Sequence, residues 1–210
     1  RCRSSTSSCQ PAAMPPRERA WELAAGPRAV KVLAFHDGRG SLRSGFAVSP
    51  SHVLTVGHGT VPLGQSEVRV DSGVQRWPAR VVIDSADDVA LLEIEGDAPW
   101  SHMSPVPWGR PNGDEPIDGY VLGYPAAAGA TAERGRSQPA VSIRPLSDDR
   151  GRRELVVANG EPLSPELWSG MSGGAVIANG RLVGMVQDAS SLHRSGVLYG
   201  RTSEQLLEAA

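Results

Sequence analysis

Between Ala29 and Gly200 the sequence is cut into twelve short apolar runs by glycine, proline, aspartate and serine. This punctuation constrains the fold more than any other feature. The runs predict strands over 30–36, 44–49, 52–56, 67–71, 79–84 and 89–94, and again over 118–124, 139–146, 153–159, 174–178, 181–187 and 196–200. Some alternate with period two, as at Val68 and Val70 or Val141 and Ile143, the pattern of a half-buried strand. Others are continuously apolar, as expected of strands covered on both faces. Many short strands with turn residues in the gaps indicate a closed β architecture, and 24 glycines with 17 prolines suit it. Asn179-Gly180 between two apolar runs is the strongest hairpin signal. The Pro-, Gly- and Trp-rich stretch 96–117 reads as an irregular linker with six strands on either side. The expected fold class is all-β, with two six-stranded antiparallel barrels and a short C-terminal helix over 202–210. Thr202 or Ser203 can cap that helix, and Glu204 falls in its first turn.

The expected organisation is a flexible N-terminal tail over 1–27 and one domain over 28–210. Within the domain, 28–95 forms the first barrel, 96–117 the linker, 118–201 the second barrel and 202–210 the helix. Cys2 and Cys9 both fall in the tail, so the body of the chain is expected to hold without disulfides. The segment before Met14 lacks the apolar core of a secretory signal, which makes a cytoplasmic setting the expectation. A net charge of −2 argues against a basic nucleic-acid face. The absence of any apolar run of about 18 residues argues against a membrane-spanning helix.

Three segments carry chemistry. In Ser44–Gly59, the strand HVLTV delivers His58 into a glycine-flanked position. In Asp87-Asp88-Val-Ala-Leu-Leu-Glu-Ile, an acid opens an apolar strand. In Trp168-Ser-Gly-Met-Ser172-Gly-Gly-Ala-Val-Ile, a serine sits in a glycine-rich turn before another strand. A serine hydroxyl is a poor nucleophile at neutral pH. An imidazole can take its proton during attack, and a carboxylate can hold the imidazole in the required tautomer. Glycines beside the serine let two backbone N–H groups, those of Gly170 and Ser172, converge on one oxyanion.

These segments, GFAVSPSHVLTVGH, DDVALLEI and GMSGGAVI, resemble the signature segments of the chymotrypsin/trypsin-fold serine peptidases, in that family's order of His, Asp and Ser. The resemblance runs from about Ala29 to Thr202. Gly119–Pro125 is similar to the GYP strand of bacterial members, and Arg181–Gln187 to the strand lining the substrate cleft. It implies two six-stranded barrels with His58, Asp88 and Ser172 as the catalytic triad at their junction. It also implies a serine endopeptidase that acts on protein or peptide substrates through an acyl-enzyme. Two departures matter. Val56-Gly57-His58-Gly59 lacks the cysteine of the usual motif, and Met171 stands where trypsin has the aspartate that pairs with a newly cut N-terminus. Activation by N-terminal cleavage is therefore not expected; the site is competent as made or is ordered by a partner domain.

Other residues fit the same roles less well. His36, His52, His102 and His193 lack the Thr-Val-Gly-His context, Ser169 lacks the following Gly-Gly, and Asp87 is expected to be solvated. The tryptophans at 21, 77, 100, 108 and 168 are expected to fill core or inter-barrel space. Substrate contacts are expected from Glu166, Trp168, Gln187 and Asp188, with Glu166 as a buried acid at the base of a pocket for a basic side chain. No His-x3-His or Cys-x2-Cys pair is present, so no metal and no cofactor are expected. Fused or associated regulatory domains are expected partners. The alternative reading is a latent or regulatory binding module within a larger bacterial protein.

Overall fold

The computed structural model describes residues 25–36, 39–60, 66–98, 100–111, 115–126, 135–147, 152–158, 165–188 and 197–209. The expected N-terminal tail, Trp21 and His193 lie outside them. Twelve strands form two closed antiparallel barrels. The first contains β1 (Ala29–His36), β2 (Arg39–Ala47), β3 (His52–Val56), β4 (Ser66–Asp71), β5 (Arg76–Ser85) and β6 (Val89–Ile94), in the order β1-β2-β3-β6-β5-β4. The second contains β7 (Ile117–Leu122), β8 (Ala140–Ser147), β9 (Arg153–Val157), β10 (Ala175–Ala178), β11 (Arg181–Asp188) and β12 (Val197–Thr202), in the order β10-β11-β12-β9-β8-β7. Among the described residues, two α-helices, α1 (Pro165–Trp168) and α2 (Ser203–Ala209), and a 3-10 turn at Gly26–Arg28 complete the fold. The Asn179-Gly180 turn joins β10 to β11 with both residues at positive φ, 49° and 67°. That is the geometry two-residue hairpins favour.

Alternation along the strands builds three layers of core. Val53 of β3 and Leu92 and Ile94 of β6 point into the first barrel, where Trp77 and Trp100 meet edge to face at 5.4 Å. Val141, Ile143, Leu155, Val176 and Leu198 fill the second barrel. Residues of opposite parity face out and pack the barrels together. Leu42 and Phe46 of β2 meet Leu122, Ile177 and Leu182, and Leu54, Val56 and Val89 meet Met185 and Leu206. The site lies along this seam.

The stretch expected to be an irregular linker is built into two of these layers. Ala98 and Trp100 belong to the first-barrel core, and Val106 to the inter-barrel layer. The linker backbone exchanges hydrogen bonds with Leu182 of β11, from Gly109 N–H (2.9 Å) and to Pro107 C=O (2.9 Å). Helix α2 opens with a capping box. Gln205 Oε1 accepts from Thr202 N–H at 2.9 Å, and the Thr202 hydroxyl accepts from Gln205 N–H at 3.5 Å. Its Leu206 is buried against first-barrel residues, so the helix spans the seam.

Candidate active site

Strand β3 ends at Val56, and Gly57 and His58 follow in a turn. Gly57 sits close against two acids, Asp84 of β5 and Asp88 of the β5–β6 turn. A Cβ there would lie 3.1 Å from an Asp84 carboxylate oxygen and 3.4 Å from one of Asp88, a tight fit that glycine avoids. Asp88 closes that turn with φ +63°, a left-handed conformation that aspartate tolerates better than most residues. The conformation turns both carboxylate oxygens toward His58. Oδ1 accepts from the His58 backbone N–H at 2.6 Å, and Oδ2 lies 2.7 Å from Nδ1. A carboxylate can only accept here, so Nδ1 carries the proton and Nε2 is left with a free lone pair.

Burial works to raise the Asp88 carboxyl pKa. The hydrogen bonds from the His58 side chain and backbone, the imidazole's charge and a bond from Gln187 outweigh it and hold the pKa below the ordinary carboxylate range. Gln187, in β11, also donates to the Asp87 carbonyl at 2.9 Å. Arg201 of β12 pairs with the Asp87 carboxylate at 3.0 Å. The turn carrying Asp88 belongs to the first barrel by sequence and is braced by the second.

The serine lies in the loop 169–174 between α1 and β10. The N–H groups of Ser169, Met171, Gly173 and Gly174 donate to the carbonyls of Glu166, Trp168, Val186 and Met171. Among the described residues, the N–H groups of Gly170 and Ser172 have no acceptor. Planarity explains where they point. In a trans peptide the N–H lies opposite the C=O. The Ser169 carbonyl is held by Ala126 N–H at 2.8 Å, and the Met171 carbonyl by Gly174 N–H at 2.8 Å. The Gly170 and Ser172 N–H groups are therefore aimed away from those anchors. No hydrogen bond joins the Ser172 hydroxyl to His58 among the described residues, and such contacts often tighten only when substrate binds.

His58, Asp88 and Gln187 line a cavity of about 420 Å³ together with Arg152, Asp188 and Arg201. Asp188 lines it, with its carboxylate 3.8 Å from Arg152, whose guanidinium stacks 4.9 Å over the Tyr199 ring. Gln187 also lines it, but its amide is engaged with the Asp87–Asp88 turn.

The other two expected substrate contacts are corrected. Trp168 is 5% exposed and packs in the second-barrel core, because the α1 turn directs its indole inward. Glu166 is exposed on α1 and is not a buried acid at a pocket base. His52, at the opposite end of β3 from His58, bonds to Ser49 and Ser51. His36 ends β1, and His102 is exposed. Asp87 is exposed to solvent, as expected, and also pairs with Arg201. The roles of Arg152 and Arg201 had no sequence signal, since nothing local distinguishes them from the chain's other arginines. No cluster of three or more metal-ligating side chains occurs among the described residues.

The comparisons with known proteins fit this geometry. A mitochondrial protein of Arabidopsis thaliana, named as protease Do-like 3, is 28% identical over 148 residues, covering 69% of this chain and 25% of that one. The chain thus spans about a quarter of that relative's length. Among solved structures, a protease from M. tuberculosis in its active form superposes with a TM-score of 0.67 at 22% identity, covering 99% of this chain and 92% of that one. The HtrA-type protease AlgW, solved with a tripeptide, gives 0.70 at 18% identity, covering 92% and 62%. These identities establish the shared fold. The family described as the trypsin-like peptidase domain matches residues 43–185. That match starts within β2 and ends within β11, taking in His58, Asp88, Ser172 and the strands that carry them, and the chain therefore belongs to the trypsin-like peptidase family.

Proposed function

We propose that the chain is a serine endopeptidase in which His58, Asp88 and Ser172 form the catalytic triad. The observation that carries this reading is the pairing of an imidazole fixed by Asp88 with two acceptor-free amides flanking the Ser172 turn. Ser172 Oγ attacks the substrate carbonyl while His58 Nε2 takes its proton. The Gly170 and Ser172 amides stabilise the oxyanion, each contributing on the order of 3 kcal/mol. His58 then protonates the leaving amine, and water repeats the cycle on the acyl-enzyme. Asp88 keeps the imidazole in its tautomer and balances the imidazolium. The substrate is a protein or peptide segment, brought by further domains of the same polypeptide or by an associated one.

The test is labelling with a fluorophosphonate probe together with cleavage of a fluorogenic protein substrate. Both are expected in the wild type. Both are expected to be lost in Ser172→Ala, with unchanged thermal melting and a loss of turnover on the order of 10^6-fold. Cleavage that survives Ser172→Ala would overturn the mechanism. A folded wild type that neither labels nor cleaves favours a latent module.

A further inference from the structure

Every main-chain carbonyl from Ser169 to Ser172 is held by a donor, and two of the four are held by one residue of the other barrel. Ser44, in β2, is fully buried at 0% exposure. Its hydroxyl donates to the Gly170 carbonyl at 2.7 Å, and its backbone N–H donates to the Ser172 carbonyl at 2.8 Å. The same hydroxyl accepts from Tyr124 N–H at 2.8 Å, just beyond the end of β7. The Ser44 carbonyl accepts from the Thr55 hydroxyl at 2.7 Å, three residues before His58. The approach is close enough that a Cβ on Gly173 would collide with the Ser44 carbonyl oxygen, and Gly173 has φ +87°.

We infer that Ser44 is a positioning residue which makes the oxyanion amides depend on the docking of the two barrels. The inference rests on the reading of the Gly170 and Ser172 amides as oxyanion donors. An amide N–H lies in the peptide plane before its Cα, and anchoring the plane after that Cα limits how far the first can turn. At Gly170 those planes are fixed by the Ser169 carbonyl, held by Ala126, and by the Gly170 carbonyl, held by the Ser44 hydroxyl. At Ser172 they are fixed by the Met171 carbonyl, held by Gly174, and by the Ser172 carbonyl, held by Ser44 N–H. Removing the hydroxyl leaves a buried carbonyl and the Tyr124 N–H unpaired, which is costly. Rotation of the Gly170–Met171 peptide, which also gives up the Met171 N–H bond to Trp168, turns the loop away from its working orientation.

The experiment compares Ser44→Ala with Ile143→Val, a mild truncation in the second-barrel core, at a temperature where both are folded. Ser44→Ala is expected to lower kcat on a peptide substrate by at least about tenfold while KM changes by less than about twofold. Affinity for a peptide aldehyde, which places an oxyanion between the two amides, should fall by a similar factor. Hydrogen exchange of the 169–173 amides should accelerate. Ile143→Val should leave kcat and that exchange as in the wild type. Unchanged kcat with unchanged loop exchange in Ser44→Ala overturns the inference. If the wild type neither cleaves peptide nor labels with fluorophosphonate, the proposed function falls, and loop exchange alone decides whether Ser44 sets the loop. If Ser44→Ala does not fold, Ser44→Cys keeps a weaker donor and should show the same losses at smaller size; wild-type kcat in that variant overturns the inference equally.

Discussion

The two barrels contribute to the seam in different ways. The first barrel supplies side chains. In the proposed mechanism His58 and Asp88 act through an imidazole and a carboxylate, and their geometry is two short bonds between neighbouring turns. The second barrel supplies main chain. Apart from the Ser172 hydroxyl, its contribution is the direction of two N–H groups, set by four anchored carbonyls. Side-chain chemistry is carried by residue identity, and a substitution removes it directly. Main-chain geometry is carried by packing, and is lost when a neighbour intrudes or a partner lets go.

This contrast predicts that the halves fail differently. The largest effect is expected on the first-barrel side, where Asp88→Asn should reduce kcat by about 10^4-fold with the fold intact, because the amide permits the wrong imidazole tautomer. The same variant checks the pH dependence of stability. The Asp88 pKa is depressed in the folded state, so its contribution is present above the ordinary carboxylate range and is lost as pH falls through the folded value. The stability gap between wild type and Asp88→Asn in urea titrations should therefore close on acidification. A gap that widens would contradict the pairing.

On the second-barrel side, Gly173→Ala should act through structure. A Cβ there meets the Ser44 carbonyl at a left-handed φ, and a loss of about 2–4 kcal/mol in unfolding free energy is expected, alongside lost activity. Activity lost without destabilisation would blur the distinction between the halves. The smallest effect is expected where the halves meet. Gln187→Leu removes a second-barrel donor from the Asp87–Asp88 turn and should lower kcat by only about three- to tenfold, since the His58 bonds remain. A loss as large as that of Asp88→Asn would make Gln187 as important to the imidazole as the carboxylate itself.

Much of this was legible in the sequence. Period-two alternation and turn residues located the twelve strands to within a few residues, and Asn179-Gly180 fixed a hairpin, because local conformation decides both. Thr202 and Gln205 close the expected helix cap for the same reason. Trp168 fills core space, as expected of the tryptophans, but the substrate contacts expected of Trp168 and Glu166 do not hold, because nearness to Ser172 in sequence says nothing about which way a short helical turn faces. The indole turns inward to the second-barrel core and the carboxylate outward to solvent. The stretch 96–117 reads as a linker because its irregular backbone hides the burial of Trp100 and Val106.

By itself, then, the sequence determined which groups could do chemistry and which segments would be strands, since both follow from residue identity and short-range periodicity. Only the tertiary structure decided where the amides of Gly170 and Ser172 point, that Asp87 is tied to Arg201, and that Ser44 joins the two barrels. Those outcomes depend on bonds between residues as far apart as Ser44 and Gly170, and no local pattern records which distant donor will reach which carbonyl.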